Sequence, residues 1–502
     1  MKIRYLICLL FTMILFVGCK KEPIEKEIDE EEELSKISLT NFEIAGFEFK
    51  TNKFEIIGTT QKKRNVEKLK PKFEATGVVT VNNIVQYSGI SEVDFSNPVT
   101  YVVTNENGRS RSYKVSLKTF TGLPILYITT KTDIPHHDYV EADYEFFPNG
   151  NKGQYFHVNG QIKGHGNSTW GEPKKPYKIK FDKKQSMCGE KPFKKWLLMA
   201  NYIDKTLIRT ELAMRMGEAI GMEYTSSHNF IEVYLNGVHK GNYLLMDDIK
   251  TVAEGRLDLE KLENTETNSY NNTGTYLLEI DDRAASKDAP YFWSLDRPHS
   301  IEYPDDPSEA QINYIKKFVQ NADNVLNGSN YLDKEKGFWK YFDAESMIKW
   351  GLINELFRNV DAQRFSSIYY YKKRGDDHLY YGPLWDFDMG AANARHNSSC
   401  HLPNGWYIFN GVRFNRMCNS ADFKKLRKEI WMKYRDDIYN VIMSTDDIVE
   451  SMAYSIELNF KLWPDFENPS AYVMPGHYTH KAHVDYMKDF LLKRYKWMDE
   501  NM

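Results

Sequence analysis

The apolar periodicity of this chain changes once along its length, and that change limits what it can fold into. Up to about residue 282 apolar residues come in short strand-length runs, whereas from Ser308 onward they recur every three or four positions, the spacing that keeps one helix face dry. Strand candidates are Ile125 to Thr129, Tyr155 to Lys163, Tyr177 to Phe181, Phe230 to Leu235, Gly241 to Met246 and Tyr276 to Ile280. The clearest helix is Ser308 to Leu326. Ile312, Ile315, Phe318, Val319, Ala322, Val325 and Leu326 share one face, Ser308 and Gln311 form a capping box, and Gly328 stops it. Asp343 to Arg358, Ala421 to about Met443 and Lys481 to Met498 are further helices. Strands first and helices afterwards predict an α+β body of two lobes with a cleft between them, a β-rich lobe over about 121–282 and a helical lobe over about 300–502.

Residues 37–120 read differently. Val99-Tyr101-Val103 and Tyr113-Val115-Leu117 alternate at period two around the turn residues Glu106-Asn107-Gly108, which is a hairpin. With Phe54-Ile56 and the run Val78 to Val81, and no helical stretch, the window predicts a small all-β sandwich. The stretch GISEVDFSNPVTYVVTNENGRSRSYKVSL resembles the Ig-like sandwich modules at the start of many secreted bacterial lipoproteins, which implies a spacer or docking unit without chemistry of its own.

The first residues carry an address. Lys2 and Arg4 precede an apolar run from Tyr5 to Val17 that is too short to span a membrane comfortably, the order of a secretory signal peptide over residues 1–19. Gly18-Cys19 looks like a bacterial lipobox, with Phe16 where a Leu is usual. On that reading Cys19 carries a lipid anchor and tethers the protein to a membrane of the cell envelope, an outer membrane or cell surface, without crossing it. Residues 20–36, KKEPIEKEIDEEEELSK, hold too little apolar surface to order and read as a charged spacer. Behind Cys19 only Cys188, Cys400 and Cys418 remain, too few for a disulfide framework. A Cys400–Cys418 bridge and two free thiols are both open. A net charge of −4, from 66 Lys+Arg against 70 Asp+Glu, argues against a nucleic-acid partner, because phosphate backbones demand a basic surplus.

Two constellations carry chemistry. Gly164-His165-Gly166-Asn167-Ser168-Thr169-Trp170 follows a strand directly, and two glycines one residue apart let the backbone approach an anion closely. Taken alone this is an ordinary hairpin. The next strand, however, sets Lys178 and Lys180 on the face opposite Tyr177, Ile179 and Phe181, where they form either a solvated face or a phosphate clamp. The second constellation is a helix ending at Asn359-Val360-Asp361, a hairpin from Ser367 to Leu384 turning at Gly375-Asp376-Asp377, and then Trp385-Asp386-Phe387-Asp388. The return stroke brings Asp361 and Asp386 to one end of the hairpin. Phosphoryl transfer needs such a pair, one carboxylate to orient the attacking hydroxyl and another to hold Mg²⁺.

GHGNSTW, PKKPYKIKF, WLLMANYIDKTLIRTELA, IEVYLNGVHKGNYLLMDDI, NVDAQRF and LWDFDMG, in this order from about Leu123 to Asn393, resemble the CotH-type spore-coat kinases, secreted atypical protein kinases. The resemblance implies a diverged two-lobed protein-kinase-like domain over residues 121–502 that uses ATP with Mg²⁺ or Mn²⁺ to phosphorylate a hydroxyl of a secreted or surface protein. By the same resemblance Asp361 is catalytic and Asp386 binds metal with Asp388 as a second ligand, while the loop's own free N–H groups make Gly164, Gly166, Asn167 and Ser168 a cradle for the nucleotide. Lys180, ahead of Lys178, meets the phosphates, and Asp204 and Arg209 brace the site. Glu211 is the nearest partner for the lysine, a pairing that stays open. Two departures stand out: Ser366-Ser367 where the family has an Asn for a second metal, and Asp247 where it tends to have Glu.

Alternatives of other classes are a pseudokinase or surface adhesin, which the Ser366-Ser367 departure favours, and a glycan hydrolase built on two carboxylates. Among the remaining histidines, His477, His480 and His483 fit helical spacing on an exposed terminal helix, and His136 and His137 point apart if extended. Tyr369, Tyr370 and Tyr371 read as hairpin core and edge.

Overall fold

The computed structural model describes residues 32–60, 65–118, 121–149, 151–249, 256–257, 259–286, 289–394, 396–466 and 478–502. Cys19, most of the expected spacer and His477 lie outside them. The chain divides into two compact units at Thr121/Gly122.

Among the described residues the first unit has eight strands: β1 Leu39–Glu43, β2 Glu48–Asn52, β3 Glu55–Thr59, β4 Lys72–Ala75, β5 Val78–Val81, β6 Ile84–Val85, β7 Val99–Thr104 and β8 Ser110–Lys118. β1 and β4 pair with each other, and the other six form a sheet in the order β2-β3-β8-β7-β5-β6. The expected hairpin is β7–β8, with Tyr101 opposite Tyr113. Its turn is held by Asn105, whose side-chain oxygen accepts from the Asn107 and Arg109 amides at 3.0 and 2.9 Å. Phe42 of β1 shares one core with Ile56, Tyr101, Val103 and Val115 of the larger sheet, so the two sheets pack as a sandwich. Each such fully buried side chain contributes about 1.5–3 kcal/mol. Residues 32–35 form a helical turn and Leu34 packs against this core, so the order of the module reaches into the stretch expected to be spacer.

The second unit opens with a closed barrel of β9 Ile125–Thr130, β10 Val140–Phe147, β11 Phe156–Gly164, β12 Tyr177–Gln185, β13 Phe193–Met199, β14 Asn229–Leu235 and β15 Val238–Asp247, in the order β10-β11-β12-β13-β15-β14-β9. All pairs are antiparallel except β9 with β14. Ile128, Tyr144, Ile162, Ile179, Phe181, Trp196 and Leu198 fill it. β11 and β12 approach closely at Gly160, where a Cβ would lie 2.3 Å from the Lys180 carbonyl oxygen. The helix α1, Arg209–Ala219, leaves after β13.

A second sheet follows: β16 Tyr276–Ile280, β17 Tyr291–Ser294, β18 Arg297–Tyr303, β19 Ile368–Lys372 and β20 Leu379–Tyr381, in the order β17-β18-β16-β19-β20. Strands are therefore not confined to the first part of this unit, because β19 and β20 return between helices to extend the sheet begun by β16. Among the described residues the longer helices are α2 Glu309–Asn327, α3 Ala344–Phe357, α4 Ala421–Met443, α5 Thr445–Ser451, α6 Ala453–Leu462 and α7 His480–Asn501, with a single short turn of helix at Phe414–Met417. The predicted capping box at Ser308 and Gln311 is present. Nearly all of α3 is buried, and its Glu355 is paired with Arg494 of α7. That packing corrects the expectation of an exposed terminal helix: His483 is buried and His480 bonds the Thr206 carbonyl. Cys188, Cys400 and Cys418 are free thiols. Among the described residues no helix is long and apolar enough to cross a membrane.

Candidate functional site

Five chain segments converge on one hollow of about 290 Å³: the glycine loop after β11, the end of β13 and the loop after it, the end of β16 and the turn after it, the loop after α3 with the start of β19, and the loop after β20. Gly166, Asn167, Ser168, Asp361, Asp386 and Asp388 all line it. A smaller hollow of about 30 Å³ shares Thr169, Met199, Trp385, Asp386 and Asp388 and adds Lys174 and Met246.

Local chemistry fixes each side chain. α3 ends because Arg358 adopts the left-handed conformation, φ 46°, and returns its amide to the Asn354 and Glu355 carbonyls. A single 3-10 turn, Asp361–Gln363, then sets Asp361 at the rim, its carbonyl accepting from the Phe365 amide at 2.9 Å. Asp386 also has positive φ, 61°. Its carbonyl accepts from Asn359 Nδ2 at 3.1 Å, and its Oδ2 accepts from Ser367 Oγ at 3.2 Å. Ser367 is itself positioned by its amide, which donates to Glu279 Oε1 at 3.0 Å. The Ser that replaces the expected Asn is thus bonded directly to the candidate metal-binding carboxylate. Phe387 buries edge-on against Phe357 with ring centroids 5.0 Å apart, which turns its two flanking aspartates toward the hollow. Beyond them Arg209 donates to the Gly390 and Ala391 carbonyls at 3.0 and 3.3 Å and pairs with Asp204. Asn393 Nδ2 donates to the Asp388 carbonyl at 2.7 Å.

The electrostatics are those of crowded acids. Burial, and then the Asp386 charge, push the Asp361 carboxyl up to about 6, against the pull of Arg283. Asp386 is raised by burial, and Asp388 is raised well above its ordinary value by burial and then by Asp386, Asp204 and Asp361. Such a cluster is stable only with protons or a cation among its oxygens. Asn359 Oδ1 and Asn393 Oδ1, buried beside the backbone of Asp386 and Asp388, have no hydrogen-bond partner among the described residues. Hard oxygens of this kind suit Mg²⁺ or Mn²⁺. Among the described residues no group of three or more His, Cys, Asp or Glu is arranged to hold a metal, so the protein offers the pair Asp386 and Asp388.

The glycine loop needs its glycines. Gly166 has φ +75° and a Cβ there would meet Thr169 Oγ1 at 2.1 Å, while one on Gly164 would strike the Trp170 ring. His136 stacks on Trp170 and hydrogen-bonds the Gly166 carbonyl at 2.7 Å. His136 and His137 do not point apart, their ring centroids being 4.0 Å from each other, because residues 131–139 bend and are not extended.

The lysine strand lies elsewhere. Lys178 pairs with Asp248 at 2.9 Å and Lys180 sits 5.8 Å over the Tyr139 ring, and neither lines the hollow. Lys178 still acts on it through His165, which burial and then the Lys178 charge push down to about 4. Glu211 bonds Arg215 and His228 at 2.6 and 2.8 Å, not a strand lysine. Asp247 holds Arg256 at 2.9 Å. Sequence reasoning missed Arg283, Glu279, Tyr369 and Lys174. For Arg283 the signal was present, a lone cation after Glu279-Ile280-Asp281-Asp282. For Lys174, buried on the Asn242 carbonyl and on Asn459 Oδ1, there was none, because its acceptors come from distant segments.

Residues 162–498 match the family described as CotH kinase protein, and residues 39–117 match one described as SGBP, N-terminal. No curated protein matches. Among solved structures, a Bacteroides thetaiotaomicron VPI-5482 protein provisionally named a glycoside hydrolase is 15% identical, with a TM-score of 0.15. The match covers 55% of this chain and 65% of that one, under two thirds of its length, and carries no argument about fold or activity.

Proposed function

The chain belongs to the CotH kinase protein family, and from that premise we propose that it is an extracytoplasmic, kinase-like phosphotransferase acting at the hollow between the glycine loop and the aspartate loops. The observation that carries the reading is that Gly166, Asn167, Ser168, Asp361, Asp386 and Asp388, spread over more than two hundred positions of chain, line one cavity. ATP is the phosphoryl donor and a Ser or Thr hydroxyl of a secreted or surface protein the acceptor. Asp361 takes the hydroxyl proton as the oxygen bonds to the γ-phosphorus and the bond to the β-phosphate oxygen breaks, releasing ADP. Gly166 lets backbone amides approach the phosphates, and Arg283 adds the positive charge that Lys178 and Lys180 do not bring to the lining. Asp386 and Asp388 hold Mg²⁺ or Mn²⁺, which neutralises phosphate charge when bound. Ser367 keeps Asp386 aimed, and Arg209 keeps the loop behind it in place. The lipid anchor at Cys19 puts this activity at the cell envelope, and the SGBP module over residues 39–117 supports display at the surface.

The absence of both strand lysines from the lining favours a second reading, a scaffold that binds no nucleotide productively. Melting the full chain with and without Mg²⁺-ATP separates the two. Saturation at ~100 Kd adds about 2.7 kcal/mol to stability and raises the melting temperature on the enzymatic reading. An unchanged melt together with no labelled phosphate passing from ATP to casein or to the chain itself would sink it.

A further inference from the structure

A separate cavity of about 500 Å³ lies where the first turns of α4 meet the loop before it, and it shares no lining residue with the hollow described above. Trp406, Asn410, Asn415, Asn419, Lys424 and Arg427 line it. Arg427 is only 6% exposed, and its guanidinium carbon sits 4.2 Å over the Trp406 ring and 4.7 Å over Phe409. Its one hydrogen bond among the described residues is from Nη1 to Cys418 Sγ at 3.8 Å, and its Nε has no partner. Among the described residues no carboxylate bonds it, and the one buried anion whose charge reaches it, Glu355, is held by other partners. Burial holds the Cys418 thiol protonated, Glu355 is committed to Arg494 and to the Tyr407 and Phe409 amides, and Asp422 is paired with Lys334 at 2.7 Å. A guanidinium buried without an anion is costly, so this cavity is short of one negative charge.

The rest of the lining says what kind of anion. Asn415 and Asn419 are exposed and their side chains make no hydrogen bond among the described residues, while Asn410 spends an Nδ2 hydrogen on the Trp406 carbonyl at 2.7 Å and keeps its Oδ1. An amide donates and accepts at once, which is what ring hydroxyls require; a phosphate dianion only accepts and leaves amide oxygens unused. The cavity is also far larger than a bare anion. We propose that it binds an acidic saccharide, a sugar carrying a carboxylate, with Arg427 and Lys424 on the carboxylate and the asparagine amides on the hydroxyls.

Titration calorimetry of the full chain tests this with a galacturonate trimer, the neutral galactose trimer and a phosphoserine peptide as probes. The acidic trimer binds the wild type, and the exposed Lys424→Glu weakens it about tenfold or more, a loss of at least ~1.4 kcal/mol. Arg427→Gln abolishes binding, with a melting curve to show that it folds. Both variants keep the Mg²⁺-ATP melting shift of the wild type, so a failure here is distinct from a failure of the kinase reading. Equal binding of the neutral trimer, tighter binding of the phosphoserine peptide, no acidic-trimer binding, or indifference to Lys424→Glu each overturns the proposal.

Discussion

A carboxylate buried beside other carboxylates needs a cation or a proton, and the three aspartates of the hollow meet that need differently. Asp361 opens a 3-10 turn at the edge of the hollow, with Arg283 offsetting part of its burial. Asp386 is held by Ser367 and by its own left-handed backbone, the posture of a fixed ligand. Replacement by the isosteric amide therefore separates two roles. Asp361→Asn removes the proposed proton acceptor and is expected to cut transfer on the order of a hundredfold to ten-thousandfold while leaving the Mg²⁺-ATP melting shift in place. Asp386→Asn removes the proposed metal ligand and is expected to abolish the Mg²⁺ dependence of that shift together with transfer. Equal nucleotide-binding losses in the two variants, read by melting and by initial rates, would refute this division of labour.

At the scale of elements, the barrel aims the glycine loop and α1 braces the loop facing it. Gly166→Ala forces a Cβ into the left-handed region against Thr169 Oγ1, and the strain of about 1–2 kcal/mol is expected to appear as roughly a tenfold rise in the KM for ATP with kcat less affected. On α1, Glu211 and the exposed Glu218 hold His228 at 2.8 and 3.2 Å. Burial works against the imidazolium, but the two carboxylates outweigh it and raise the pKa from 6.5 to about 10. A raised folded-state value stabilises the fold fully below about pH 6.5 and is lost as the pH climbs through about 10. The melting temperature of His228→Gln should thus fall furthest below wild type near pH 6, the gap closing toward pH 10; a gap constant with pH would remove the ion pair as its cause. Elements with strong local signals were legible in sequence: α2 through its stripe and capping box, α4 to the residue, β16 to the residue. β10 was not, because Glu141, Asp143 and Glu145 lower its strand propensity although they only mark its outward face. β18 was hidden by Pro298, which pairs with Trp293 in the hairpin it forms with β17.

For the whole molecule, the sequence order of motifs was informative where the chemistry depends on backbone shape and less so where it depends on side-chain reach. The glycine loop and Asp361, Asp386 and Asp388 could be found because turns and loop ends are written locally. The lysines could not, because alternation tells which face of β12 a side chain takes but not whether that face meets the cleft once the barrel closes: Ile179 and Phe181 point inward, and Lys178 turns to Asp248. Every residue lining the hollow comes from the second unit, which begins at Gly122 and has its own cores. A chain of residues 122–502 is accordingly expected to fold, to show the Mg²⁺-ATP melting shift of the full protein, and to match its initial rate on a soluble acceptor such as casein within about twofold, a difference of under 0.5 kcal/mol in barrier. What it should lose is placement, since Cys19 and the SGBP module are gone. In cells, the full chain fractionates with membranes and Cys19→Ser releases it, whereas both forms keep equal rates after solubilisation. If residues 122–502 fold but neither bind nucleotide nor transfer phosphate while the full chain does both, the first unit contributes to the chemistry and its reading as a spacer or docking module is wrong.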